Sequence, residues 1–126
     1  MLFVSSYCFH SRNLSHWDHT GGNLELKKEG VKVYGPVEEK DRIPGIDFAV
    51  GSGDTVSFGS TQANVLDVGG HTLGHIAYHF PQEEAVFVGD SLFVLGCGKM
   101  FEGTKDQFWE SLKTLRSLPD ETVVYW

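Results

Sequence analysis

Two imidazoles and a carboxylate fall within four residues, His16-Trp17-Asp18-His19, and Thr20-Gly21-Gly22-Asn23 follows at once. Neutral imidazole and carboxylate oxygen are donors suited to a borderline cation such as zinc, with iron or manganese as other candidates. Adjacent glycines let backbone approach such a site closely, and a helix opening there would turn N–H groups toward an anion. Two further groups repeat the theme: Gly70-His71-Thr72-Leu73-Gly74-His75 and Gly89-Asp90. Each lies at a glycine-flanked bend beside an apolar run. One such cluster can be accidental; three of them point to metal chemistry.

These residues need rigid elements to hold them. Asn23 to Glu29 reads as a short helix closed by Gly30, in the usual position after a helix end. Val31 to Tyr34 reads as a strand stopped by Gly35-Pro36, and Glu38 to Arg42 as a polar helical turn. Asp47 to Val50, Thr55 to Phe58 and Ala63 to Asp67 read as strands separated by Gly-rich turns. Ile76 to Phe80 is a strand, with Pro81 to Glu84 as the turn to an apolar strand over Ala85 to Val88. Thr104 and Gln107 make a capping box for the best helix, whose Phe108, Leu112, Leu115 and Leu118 share one face as core. Pro119 ends that helix, and Thr122 to Tyr125 begins another strand. The candidate ligands therefore sit where strands run into loops, a sound way to fix a site. Residues 1–15 show no clear period beyond Leu2-Phe3-Val4, and residues 1–12 are expected to be irregular.

The chain has 126 residues and a net charge of −7, from 10 Lys plus Arg against 17 Asp plus Glu. That length suits one domain or part of one. The charge argues against a nucleic-acid partner, whose phosphates need a cationic surface. It leaves room for an anionic small substrate, because bound dications would dominate their own site. Two cysteines, Cys8 and Cys97, are too few for a disulfide scaffold. No apolar run reaches the roughly 18–20 residues of a membrane span. Oligomeric state is not encoded in any pattern here.

The segments His16 to Asn23, Gly70 to His75 and Gly89 to Thr104, the last containing Gly96-Cys97-Gly98-Lys99 and Glu102-Gly103-Thr104, together resemble glyoxalase II. That family, hydroxyacylglutathione hydrolase, lies within the metallo-β-lactamase superfamily. Leu118 to Tyr125 resembles its later segment; the likeness covers about residues 13–125, and residues 13–126 are expected to form one partial domain. The first two segments are shared across the superfamily; the Gly96 to Thr104 run is more specific to glyoxalase II. The resemblance implies an α/β fold, a metallo-β-lactamase-type αββα sandwich, here incomplete at both ends. It implies a two-metal site with His16 and His71 on the first ion, Asp18 and His19 on the second, and Asp90 bridging. It implies a metal-bound hydroxide held by those ligands and a glutathione thioester as substrate, S-lactoylglutathione giving lactate and glutathione. Lys99 would contact the glutathione part, Phe101 would stand where a tyrosine often touches substrate, and the compartment would be cytoplasmic or mitochondrial.

The departures are equally specific. The family reads Thr-His-x-His-x-Asp-His where this chain has Asn13-Leu14-Ser15-His16-Trp17-Asp18-His19, so Leu14 replaces a ligand. The family continues Cys-Gly-His-Glu-Tyr where this chain ends at Tyr125-Trp126, and that histidine is another ligand. An inactive relative or fragment is therefore one alternative reading. A one-iron glutathione persulfide dioxygenase of the same superfamily is another, disfavoured by the Gly96 to Thr104 run. Of the remaining residues, His75 reads as structural or as support for a ligand. His79 reads as a surface residue, Cys97 as a packed thiol, and His10 has no supporting context.

Overall fold

The computed structural model describes residues 9–126, with side chains from residue 11 onward. The chain order is β1 (Phe9–Ser11), α1 (Trp17–Thr20), α2 (Asn23–Lys28), β2 (Lys32–Pro36), β3 (Phe48–Val50), β4 (Thr55–Phe58), β5 (Thr61–Asp67), β6 (Ile76–Phe80), β7 (Ala85–Phe87), β8 (Leu92–Phe93), β9 (Gly96–Cys97), α3 (Lys105–Arg116) and β10 (Val123–Tyr125). Short 3-10 segments occupy Val37–Arg42, Pro81–Glu83 and Gly89–Ser91. Strands β1, β2 and β3 form a small parallel sheet. The larger sheet runs β10-β7-β6-β5-β4, antiparallel except where β10 joins β7.

The two sheets close on one apolar layer: Val50 from β3 meets Val56, Ala63, Val65, Ile76, Tyr78, Phe80 and Ala85, with Tyr34 and Phe58 packed beside them. The opposite face of the large sheet, including Ala77 and Val86, meets Leu115 of α3. Helix α2 packs on β2. The layers are thus helix, sheet, sheet, helix, as the family resemblance implied.

Most elements lie close to where periodicity puts them, and β6 has the expected bounds. Four differences have physical causes. The end of the segment expected to be irregular contains β1, whose residues pair with Lys32, Val33 and Tyr34. Strand β2 runs through Gly35 and Pro36 because both still pair with β3, and Pro36 lies beyond the stretch of β2 that pairs with β1, where one side of the strand is an edge. His79 is buried, not at the surface, because β6 is central and covered on both faces. Burial pushes its pKa down, and its Nε2 has no hydrogen-bond partner among the described residues. Cys97 is exposed, not packed, because β8 and β9 form a hairpin that projects with Val94 and Leu95 at its exposed tip. Cys8 and the His10 side chain lie outside the described residues.

The capping box at α3 is half formed. Thr104 Oγ1 accepts from the Gln107 N–H at 3.1 Å. The Gln107 amide does not return to Thr104; it donates to the Leu73 carbonyl at 3.3 Å and so ties α3 to the loop after β5.

Candidate metal centre

Three loops deliver the candidate ligands. The first leaves β1 and is anchored by Asn13, whose side-chain amide donates to Ile76 O at 2.8 Å and Phe87 O at 3.0 Å. Leu14 is 0% exposed, and the loop then turns into the single turn of α1, which carries His19 close to His16. The second loop joins β5 to β6. Gly70 sits at φ +143 with its α-carbon against the Phe108 ring, where a side chain would not fit. His71 follows, buried. The third loop leaves β7 through Gly89, at φ +53, and a Cβ there would collide with Asn13 and with His75. That left-handed residue turns Asp90 back toward the histidines.

His71 Nε2 lies 3.2 Å from His16 Nδ1 and 3.2 Å from Asp90 Oδ2. His19 Nε2 lies 3.2 Å from the same Asp90 Oδ2. His16, His71 and Asp90 each offer a ligand atom, all within 4.8 Å of one another. Asp90 therefore stands between the His16/His71 pair and His19. Asp18 joins only at the margin: its carboxylate is 3.7 Å from His19 Nε2 and its side chain is 65% exposed. Spacing near 3.2 Å suits donors sharing one ion at bond lengths of about 2.0–2.2 Å.

The supporting contacts orient the donors. His71 Nδ1–H donates to the Lys99 carbonyl at 2.7 Å, which leaves the Nε2 lone pair facing the cluster. His75, 0% exposed, is not in the cluster. Its Nε2 accepts from the Asp90 N–H at 3.3 Å, and its Nδ1 meets Ser91 Oγ at 2.7 Å, whose hydroxyl donates to Val68 O at 3.2 Å. It thus braces the Asp90 backbone. Ser91 was not singled out from sequence; its position directly after Gly89-Asp90 was the available signal.

Burial first, then the neighbouring histidines, push the His75 pKa down to about 3 from 6.5. The unfolded chain takes that proton near 6.5, the folded chain only near 3. The stabilisation is full above pH 6.5 and is lost as pH falls through this window, at about 1.4 kcal/mol per pH unit. Urea unfolding of metal-free protein is expected to show a lower midpoint at pH 5 than at pH 7, and His75→Gln should flatten the dependence. A midpoint that is the same at both pH values would contradict the neutral, buried assignment.

The remaining candidates line the mouth. Phe101 is 57% exposed, with its ring centroid 5.7 Å from that of His16 and 5.1 Å from that of His71. Lys99 Nζ lies 4.8 Å above the Phe101 ring. Next to Phe101, Glu102 takes both guanidinium nitrogens of Arg42 and the Leu73 N–H, and the bond from Arg42 is the main reason its pKa is lowered.

Residues 15–125 match the model of the metallo-beta-lactamase superfamily, and the chain belongs to that superfamily. Within it, the chain is 57% identical over 114 residues to the hydroxyacylglutathione hydrolase of Hyphomonas neptunium, an alignment covering 88% of this chain and 44% of that protein. The chain thus spans less than half the length of that relative. Among solved structures it resembles ETHE1 from Myxococcus xanthus, with a TM-score of 0.83 and 33% identity over 94% of this chain and 52% of the other. It also resembles TTHA1623, solved in a di-iron-bound form, with a TM-score of 0.73 and 28% identity over 91% of this chain and 66% of the other. Among the described residues no helix is long and apolar enough to cross a membrane.

Proposed function

We propose that this chain carries the metal-binding portion of a thioester hydrolase of the hydroxyacylglutathione hydrolase type. The observation that carries the reading is the meeting of His16, His71 and Asp90 at ligand spacing, with His19 on the far side of the same carboxylate. His16 Nδ1, His71 Nε2 and Asp90 would hold one dication; Asp90, His19 and Asp18 would hold a second. The first set fits a cation well. The second fits less well, because Asp18 is turned toward solvent. Zinc suits these nitrogen and oxygen donors, and iron or manganese suits them too.

A bound dication supplies an acidified water and polarises a carbonyl. The chain's own groups do the rest. Lys99, exposed at the mouth, is positioned to pair with a glutathione carboxylate, and Phe101 offers an apolar edge beside the histidines. In the reaction a C–O bond forms at the thioester carbonyl, the C–S bond breaks, and the thiolate leaves and is protonated. S-lactoylglutathione then yields lactate and glutathione.

The second reading rests on the same donors. Two histidines and one carboxylate are the set used by non-haem iron(II) oxygenases, and the likeness to ETHE1 lends it weight. A glutathione persulfide would then be the substrate and oxygen the co-substrate.

Thiol release from S-lactoylglutathione by purified, metal-loaded protein tests the first reading, with Asp90→Ala as the blank. Leu14 in place of a ligand weakens the site, so turnover is expected above the blank but below the usual enzymatic range of about 1–1000 per second. Turnover equal to the blank would remove the hydrolase reading and leave an inactive relative. Oxygen uptake with glutathione persulfide and iron(II), absent in the blank, would favour the second.

A further inference from the structure

Glu39 is a carboxylate in the segment that sequence patterning reads as a polar helical turn, yet it is 1% exposed. Its Oε2 accepts from the Ser15 N–H at 2.7 Å, and its Oε1 from the Gly74 N–H at 3.0 Å. Ser15 immediately precedes His16. Gly74 lies between His71 and His75, and a Cβ on it would fall 2.9 Å from Glu39 Cγ, so that loop is seated directly on the carboxylate. One turn along, Arg42 reaches back to Glu39 Oε2 at 3.6 Å. Its guanidinium also grips Glu102, with N–O distances of 2.6 and 3.2 Å. Glu102 in turn accepts from the Leu73 N–H at 2.9 Å and adjoins Phe101 on the loop whose Lys99 carbonyl orients His71.

We infer that Glu39, Arg42 and Glu102 form a clamp, outside the metal-ligand set, that positions the His16 loop, the His71 loop and the Lys99–Phe101 loop relative to one another. Glu39 and Glu102 are positioning residues and ligate nothing. A buried carboxylate is costly unless its oxygens are filled, and buried N–H groups are costly unless they meet acceptors. Both demands are met by one arrangement, in which the two loops are joined through a single side chain. Glu39 lies outside the apolar clusters of the sandwich and its two bonds go to the ligand-bearing loops, so its expected effect is on the relative placement of the donors. The inference rests on the metal-centre reading for its consequence, while the clamp itself is a property of the loops.

Glu39→Gln keeps the volume, removes one acceptor and removes the charge that Arg42 faces. Two readouts are measured on this variant: cobalt(II) affinity from the visible spectrum, and amide hydrogen exchange in metal-free protein. The expected result is faster exchange at Ser15 and Gly74, by tenfold or more, with Ala77 and Val86 unchanged, and cobalt binding weaker by about 10–100-fold. Glu102→Gln, at a partly exposed position, should free the Leu73 amide and weaken cobalt severalfold. Glu39→Asp should recover part of the affinity. Unchanged loop exchange overturns the clamp, as does exchange that rises equally in the sheet, which would make Glu39 an ordinary stabilising residue. If Glu39→Gln does not fold, Glu102→Gln decides by the same criteria at Leu73. Wild-type protein that binds no cobalt would sink the metal-centre reading, and the loop exchange would still decide the clamp.

Discussion

Asp90→Asn is expected to weaken metal binding by about a hundredfold or more while leaving the sandwich folded. A structural zinc site of four donors is worth about 10–16 kcal/mol, or about 3 kcal/mol per donor, which corresponds to roughly two orders of magnitude in affinity. Asp90 exceeds an average donor because the same oxygen lies 3.2 Å from both His71 and His19. Asparagine offers one neutral oxygen and can face only one of those histidines. The fold should survive because Asp90 is held by its backbone: its N–H donates to His75, and Gly89 supplies the left-handed turn. Exchanging a partly exposed carboxylate for an isosteric amide costs about 1 kcal/mol or less in metal-free protein. Cobalt(II) or zinc titration, paired with urea unfolding, checks both halves. Near wild-type affinity would mean that Asp90 is not a donor.

The backbone around Asp90 also explains what could be read in advance. Strands followed by Gly-flanked ligand residues give a local signal, because a strand has a two-residue period and a sharp exit needs glycine. Ile76 to Phe80 was legible for that reason, bounded by Gly74-His75 and Pro81. Its burial was not, since a period of two records one covered face and says nothing of a second sheet or helix arriving from far along the chain. His79 was misplaced on that account, and Cys97 for the converse reason: the apolar Val94 and Leu95 beside it form an exposed hairpin tip.

At the site, residue types that ligate metals were visible, and the structure brings His16, His19, His71 and Asp90 together across more than seventy positions. The residues that hold them were not visible. Glu39 is chemically an ordinary surface residue until the Ser15 and Gly74 N–H groups, 24 and 35 positions away, need an acceptor. Ser91 and Gln107 are similar: Ser91 Oγ meets Val68 O and His75 Nδ1, and the Gln107 amide meets Leu73 O, all distant in sequence. Local chemistry announces donors, while their orientation is set by long-range backbone demands that leave no periodic trace.

Leu14→His tests the departure from the family pattern, and two opposed effects make it informative. Leu14 is fully buried beside Asn13, which anchors the loop to β6 and β7. Replacing it with a smaller polar ring loses apolar burial and introduces ring nitrogens that need partners, a cost of about 2–4 kcal/mol to the metal-free protein. If residue 14 faces the cluster as in glyoxalase II, the new imidazole adds a donor to His16, His71 and Asp90. About 3 kcal/mol per donor then predicts tighter metal binding by roughly a hundredfold. Stability should therefore respond with opposite signs in the two states. The variant unfolds at lower urea than wild type without metal, and recovers most of the difference at saturating zinc, because a ligand bound only to the native state stabilises it by mass action. Titration and unfolding at several zinc concentrations separate the outcomes. Lower stability with unchanged affinity would place the residue-14 side chain in the core and away from the metal, and would mean that this loop departs from the family in geometry as well as in sequence.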